Sequence, residues 1–301
     1  MNRRLVINYL RLMRIHVPIP IVLNFLPILI IIFSQYFISM KNNTSAEIPL
    51  WTLIWISIVG SFLTRSLGCI INDFFDKDFD KKTSRTKNRP LALDDSDKSK
   101  PSNLGIGILV LILTTISLSL AIILGKIPTI ISILTGSLIV LYPLTKRFFI
   151  LPQLFLGFVY NMGIIVICSA VSGWLNFQCF LFFVINILWT LAYDTVYAGQ
   201  DEIDDRKNSL KSSVLTFGPE WKKIVEKIYN IVFALLIIFQ IAIGGTFAII
   251  STILSFIFIK YQYSKMIKKN SFQKFFEYNA LIFLFLLSGI VIDTLVLFYQ
   301  K

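Results

Sequence analysis

Two short stretches of this 301-residue chain concentrate carboxylates, and each directly follows a long apolar run. Residues 72–80 read Asn-Asp-Phe-Phe-Asp-Lys-Asp-Phe-Asp, with Asn72, Asp73, Asp76 and Asp80 as candidate oxygen ligands. Residues 194–205 supply Asp194, Tyr197, Asp201, Asp204 and Asp205. If each preceding helix continues, Arg65, Asn72 and Asp76 fall at offsets 0, +7 and +11, and Asp194, Asp201 and Asp205 repeat them. On a helix each trio then occupies an arc of about 40°, with Asp80 one turn beyond Asp76. Carboxylates packed this way repel one another unless a cation sits between them. An oxygen-only set favours a hard divalent ion. Mg2+ fits, because it takes one or two carboxylates and completes its shell with water and phosphate oxygens. Interleaved cations (Lys77, Arg85, Lys87 and Arg89; Lys146 and Arg147; Arg206, Lys207 and Lys211) suit the same phosphate ligand.

The elements that must position these residues are membrane helices. Hydrophobic residues make up 55% of the chain and charged residues 15%, which excludes an ordinary soluble enzyme and a disordered chain. Apolar runs at 19–40, 50–71, 104–124, 127–142, 148–173, 177–198, 228–244, 245–259 and 278–299 predict about nine transmembrane helices. The expected fold is an all-α polytopic membrane protein, one integral domain over 1–301, around a central cavity open to the cytoplasmic side and to lipid. Residues 72–103 and 198–223 form its cytoplasmic motif loops. Arg65 and Asp194 lie within spans, where a charge costs about 2.5–3.5 kcal/mol at the bilayer centre, so neither is expected to be a bystander.

With the N-terminus inside, 25 of the 29 Lys and Arg residues fall on cytoplasmic segments. That asymmetry predicts a multi-pass protein of the cell inner membrane with its site on the cytoplasmic side. The net charge of +12 therefore belongs to loops facing anionic lipid, and no nucleic acid partner is expected from so apolar a chain. No cleavable leader is expected. Arg3, Arg4, Arg11 and Arg14 share an arc of about 100° on a helix over 3–16, which reads as an interfacial helix or as simple positive-inside anchoring. Cys69, Cys168 and Cys179 lie in apolar stretches without metal-type spacing, so neither a disulfide framework nor a zinc site is expected. His16 reads as interfacial, and Asp293, near the outer end, has no assigned role.

These motifs resemble the UbiA-type intramembrane prenyltransferases, most closely the branch acting on 4-hydroxybenzoate in ubiquinone biosynthesis. The family's first motif, NDxxDxxxD, stands as Asn72, Asp73, Asp76 and Asp80, followed by Arg85-Thr86-Lys87-Asn88-Arg89-Pro90-Leu91. Its second, DxxYAxxDxxDD, runs from Asp194 through Tyr197, Ala198, Asp201, Asp204 and Asp205 to Lys211-Ser212-Ser213. Tyr142-Pro143, Lys146-Arg147, Leu151-Pro152-Gln153 and Leu156-Gly157 match a third stretch, and Leu12, Arg14 and Pro18 an N-terminal one. The resemblance covers about residues 10 to 220. One departure is Ala92-Leu93-Asp94-Asp95, where relatives carry a Ser-Gly turn.

The resemblance implies transfer of a polyprenyl chain from an allylic polyprenyl diphosphate to 4-hydroxybenzoate, ortho to its hydroxyl, with diphosphate released. It implies Mg2+ held by Asn72, Asp73, Asp76, Asp80, Asp201 and Asp205. Arg14, Lys77, Arg85, Arg89, Lys146, Arg147, Tyr197 and Lys211 would bind substrate, and Asp194, Asp204 and Arg65 would act in catalysis. Asp194 and Asp204 stay open as proton acceptor, and Arg14, Arg65 and Arg147 as receptor of the benzoate carboxylate. Two other classes are weighed. A transporter usually binds at midplane helix breaks, and nucleotide-alcohol phosphotransfer needs an Asp-Gly motif absent here. Another aromatic acceptor is the remaining alternative within the family.

Overall fold

The computed structural model describes residues 3–44, 48–82, 86–207 and 210–301; the side chains of Lys146 and Arg147 also lie outside the description. Among the described residues nine helices are long and apolar enough to cross a membrane. In chain order they are α2 (Ile19–Lys41), α3 (Leu50–Asp80), α4 (Asn103–Leu124), α5 (Lys126–Phe148), the broken pair α6 (Pro152–Tyr160) and α7 (Met162–Ser172), α8 (Phe177–Ala198), α11 (Trp221–Ile243), α12 (Thr246–Lys269) and α13 (Phe272–Gln300). Two short helices lie outside them, α1 (Arg3–Leu12) and α9 (Glu202–Lys207), while α10 (Ser213–Phe217) leads into α11 as the start of the seventh span.

Several helices run past the apolar stretches that announce them. α3 extends nine residues beyond 71, to Asp80, and α12 ten beyond 259, to Lys269. The apolar run measures the hydrocarbon, whereas the helix continues for as long as its backbone bonds remain better than those of a loop. The first motif is therefore helix rather than loop, and 198–223 contains α9, α10 and a 3-10 turn at Gly218–Glu220.

The larger core gathers α2, α8, α11, α12 and α13 around Trp189, Phe182, Phe233, Phe239 and Phe283, with Trp189 stacked on Phe283 at 4.3 Å. Asn279 accepts hydrogen bonds from Trp189 Nε1 (2.8 Å) and the Tyr229 hydroxyl (3.0 Å), so the aromatic core leaves those donors satisfied. A smaller cluster joins Leu12 of α1 to Leu63, Leu67 and Ile70 of α3 and to Leu91, Ile106 and Leu113. α4 and α5 have few buried residues and turn Leu111, Ile122, Ile133 and Leu134 outward as a thin wall. A single residue, Gly125, joins them at φ 117°, a backbone conformation that few side chains tolerate.

Local chemistry explains the break in the fifth span. Asn161 ends α6, and its side-chain amide donates to the carbonyl of Gly157 (2.8 Å) and to Thr190 Oγ1 (2.9 Å). The Tyr160 carbonyl at the break accepts from Asn24 of α2 at 2.8 Å. Backbone groups within a membrane need such partners. Gly157 lets α6 approach α8 closely, since a Cβ there would lie 2.7 Å from the Ile187 carbonyl.

Two expectations are corrected. α1 ends at Leu12 instead of running to 16, because Arg14 adopts a left-handed conformation (φ 56°) and leaves the face of Arg3, Arg4 and Arg11. Cys168 and Cys179, read as unpaired, form a disulfide with Cα atoms 6.1 Å apart. They lie in separate apolar stretches, but the four-residue turn 173–176 folds α7 back on α8 and brings them face to face. Asp293, unassigned from sequence, accepts from the amides of Phe247 (3.1 Å) and Ala248 (2.8 Å), where a helix start favours an anion.

Candidate active site

A cavity of about 1000 Å3 opens among α2, α3, α4, α5, the α6–α7 break, α8 and the start of α13. Its polar end gathers side chains from across the sequence. Arg65, Asn72 and Asp73 come from α3, and Asp194 and Tyr197 from α8; Asp201 and Asp205 follow them. Arg14, Arg89 and Lys211 arrive from three connecting segments. Away from the motifs, Ile56 and Gly60 of α3, Leu118 and Leu124 of α4 and Val140 of α5 make an apolar wall. The arrangement places anions and cations at one end of a slot whose remainder suits hydrocarbon.

The first motif makes two sets of contacts within one arc of α3. In the first, Asn72 Nδ2 donates to Asp76 Oδ2 at 3.1 Å, one turn apart. In the second, Asp73 accepts from Arg14 Nη2 at 2.7 Å and Arg89 Nη1 at 3.2 Å, while Arg89 also reaches Asp80 Oδ2 at 2.8 Å. Asp73 and Asp80 are buried and Arg89 is three-quarters buried, so these are desolvated, charge-assisted bonds. Burial alone would disfavour the Arg89 charge, but Asp73 and Asp80 outweigh it and raise its pKa. The departure at 92–95 leaves this bracket intact: Leu91 and Ala92 are buried, and Lys100 Nζ binds the Leu93 carbonyl and Asp95, both at 2.7 Å. Asn8 of α1 donates to the Ser99 carbonyl at 2.8 Å, tying α1 to the same loop.

The second motif does not share one helix. α8 ends at Ala198, a turn follows, and α9 begins at Glu202. The Asp201 amide bonds the Ala198 carbonyl (3.0 Å), and the Asp205 amide bonds the Asp201 carbonyl (2.8 Å), so one turn returns both carboxylates to the cavity. Tertiary bonds hold what comes next. Gln153 of α6 accepts from the Ser213 amide at 2.8 Å, and Ser213 Oγ shares a hydrogen bond with Thr195 of α8 at 2.6 Å. Lys211 stands two residues before that anchor. Gln153 was visible in sequence only as a matched motif letter; its partner on α10 shows why it is there.

The expected residues do not all meet. Asp76, Asp80, Asp204 and Lys77 are outside the cavity lining, whereas Arg14, Arg65, Arg89, Tyr197 and Lys211 are part of it. Lys77 lies over the Phe74 ring at 5.1 Å, in a separate surface depression with Lys81, Asp95 and Lys100. Arg85, and the side chains of Lys146 and Arg147, lie outside the described residues. Arg65 has a buried Nε without a hydrogen-bond partner and takes Tyr142, Tyr160 and Asp194 as electrostatic neighbours. His16 lines the mouth, where burial, then Arg14 and Arg11, lower its pKa and favour the neutral ring.

Among the described residues no three His, Cys, Asp or Glu side chains stand together as a ready-made metal cluster. The donor set fits magnesium all the same. Asn72 and Asp76 are already paired, Asn72 shares the cavity with Asp201 and Asp205, and Mg2+ needs few protein ligands when phosphate and water complete its shell.

Known proteins share this sequence and architecture. The sequence model of the UbiA prenyltransferase family matches residues 25–289. A 4-hydroxybenzoate octaprenyltransferase from Neisseria meningitidis serogroup B is 39% identical over 210 residues, 70% of this chain and 66% of the relative. The chain thus spans just under two thirds of the length of the first curated relatives it matches. A UbiA homolog from Aeropyrum pernix K1 superposes with a TM-score of 0.72 at 24% identity, covering 89% of this chain and 97% of that one. A UbiA homolog from Archaeoglobus fulgidus, solved bound to GPP and Mg2+, gives 0.59 at 16% identity, covering 94% and 99%. Both structures share the fold.

Proposed function

Because the chain belongs to the UbiA prenyltransferase family, we propose that it transfers a polyprenyl group from an allylic polyprenyl diphosphate to the ring of 4-hydroxybenzoate, in ubiquinone biosynthesis. The observation that carries this reading is the single cavity with carboxylates of both motifs and the cations Arg14, Arg65, Arg89 and Lys211 at one end and an apolar wall behind. A diphosphate with a long hydrocarbon tail needs both halves of that slot.

Asn72, Asp76, Asp201 and Asp205 would hold magnesium, which when bound would supply positive charge for the departing diphosphate. Arg89 and Lys211 add charge that strengthens as negative charge grows on the leaving oxygen. Asp73 and Asp80 act through the arginines: they hold Arg14 and Arg89 in place. The bond between the allylic carbon and the diphosphate oxygen breaks with its electron pair on oxygen. The ring carbon ortho to the phenol then gives a pair to the allylic carbon and loses its proton. Asp194 faces the cavity and Asp204 does not, which favours Asp194 as acceptor of that proton. Arg65, with a buried, unsatisfied Nε and Asp194 among its electrostatic neighbours, suits the benzoate carboxylate better than Arg14, whose guanidinium is given to Asp73. Tyr197, packed on Phe276 at 4.9 Å, borders the slot. The apolar wall keeps water from the allylic cation.

Charge asymmetry supports an orientation with the N-terminus and the site on the cytoplasmic side of the inner membrane. The test is an acceptor panel: membranes containing the protein, Mg2+, a labelled polyprenyl diphosphate and several aromatic acids. Labelled prenyl-4-hydroxybenzoate is the expected product. Labelling of a different acid alone would overturn the acceptor, and no labelled product with any acid would overturn the reaction.

A further inference from the structure

The end of the bundle away from the motifs carries chemistry that prenyl transfer does not use. α8 begins under the cap of Asn176, whose Oδ1 accepts from the Cys179 amide at 2.8 Å, and ends near Asp194 and Ala198. Cys179 and Asp194 are 15 residues apart on that helix, about 22 Å along its axis. The turn before α8 is built, not incidental. Asn176 Nδ2 and Ser172 Oγ both bind Gln35 Oε1 of α2, at 2.9 and 3.1 Å, while Trp174 points outward. Behind this turn the sulfurs of Cys168 and Cys179 are joined, and both residues are fully buried. Cys69, on α3 beside the cavity, stays a thiol.

A lasting disulfide belongs to an oxidising compartment, whereas cytosolic thiols are kept reduced. We infer that Cys168–Cys179 is an extracytoplasmic disulfide, formed as the protein matures, which staples the fifth and sixth spans at the face opposite the active site. This rests on the orientation proposed above and is argued from different atoms: sulfur chemistry at one end, Lys and Arg at the other. The step balances as thiol–disulfide exchange. A thiolate attacks the disulfide of an extracytoplasmic thiol-oxidising protein, the second cysteine displaces it, and two electrons and two protons pass to that donor as a dithiol. The staple fixes the α7–α8 hairpin where the turn is exposed and leaves the opposite end of α8 to meet substrate.

The test counts thiols. Cells are quenched in acid, and the protein is denatured and treated with a polyethylene-glycol maleimide with and without prior reduction. The expected result is one adduct before reduction (Cys69) and three after; Cys168→Ser should give two adducts in both. Three adducts before reduction would overturn the disulfide. Orientation is read separately with Trp174→Cys, in a background where the three native cysteines are serine, using a membrane-impermeant maleimide on intact cells. Labelling supports the outward turn. Labelling only after lysis would overturn the orientation, whatever the thiol count.

Discussion

The two acidic motifs reach the same cavity by different means. The first rides a single 31-residue helix, so its side chains are placed by backbone geometry alone. Asn72 and Asp76 bond each other, while Asp73 and Asp80, only about 20° apart on the wheel, bind arginines. The second motif crosses a helix end. Asp194 and Tyr197 are fixed by α8, but Asp201 and Asp205 depend on a turn, a six-residue helix and the Gln153–Ser213–Thr195 anchor. Similar spacing in sequence thus conceals a rigid half, set by one element, and an assembled half, set by contacts between elements.

The largest expected effect treats both halves alike. Asp76→Ala and Asp201→Ala should each lower Mg2+-dependent turnover by about 1000-fold, the scale of several kcal/mol that a correctly held cation contributes at a charged transition state. Both proteins should still reach the membrane and melt near the wild-type temperature. Turnover within about tenfold of wild type in one variant would remove that half from the metal site. EDTA should likewise stop the reaction and added Mg2+ restore it; a rate unchanged by chelation would count against both halves together.

Next in size is a change confined to the rigid half. Arg89→Ala leaves buried Asp73 and Asp80 without their shared partner, although Arg14 still reaches Asp73. The loss should be about 3 kcal/mol of stability, read as a lower denaturation midpoint in detergent, together with reduced turnover. Arg89→Lys should recover part of the stability but little turnover, because a flexible ammonium on a shorter arm does not reproduce the fixed placement of Nη1, the nitrogen that contacts both carboxylates. A midpoint unchanged in Arg89→Ala would mean that Asp73 and Asp80 do not depend on this arginine, and the division of the first motif would fail.

This contrast also marks how far sequence reading went. Nine spans and both motifs were legible, because hydropathy and helical spacing are local properties. Which ligand faces which partner was not. Asp73 and Asp76 are equivalent as letters, and only the segment after α1 and the return of the 86–102 loop give Asp73 its two arginines. The helical-wheel arc that included Arg14 failed at one left-handed residue. The disulfide escaped because its cysteines meet through a hairpin, and the role of Asp293 because α12 begins where that carboxylate happens to stand. Apart from the Arg14 turn, each miss is a contact between elements, which spacing along one element does not encode.

The smallest effect isolates the assembled half. Gln153→Leu removes the acceptor for the Ser213 amide and leaves that buried donor unpaired, a cost of about 1–3 kcal/mol. Since α10 keeps its Thr195–Ser213 bond, the loss should be local: Lys211 and the segment after Asp205 lose their fixed position while Asn72 and Asp76 keep theirs. The diphosphate KM should then rise by about tenfold, with kcat falling less and the KM for the aromatic acid unchanged. The conservative variant Gln153→Glu keeps a carboxyl oxygen for the amide and should recover most of the loss, as a leucine of similar bulk does not. A Gln153→Leu variant that lost kcat and both KM values together would instead point to general disruption of α6, and the second motif would then be as rigid as the first.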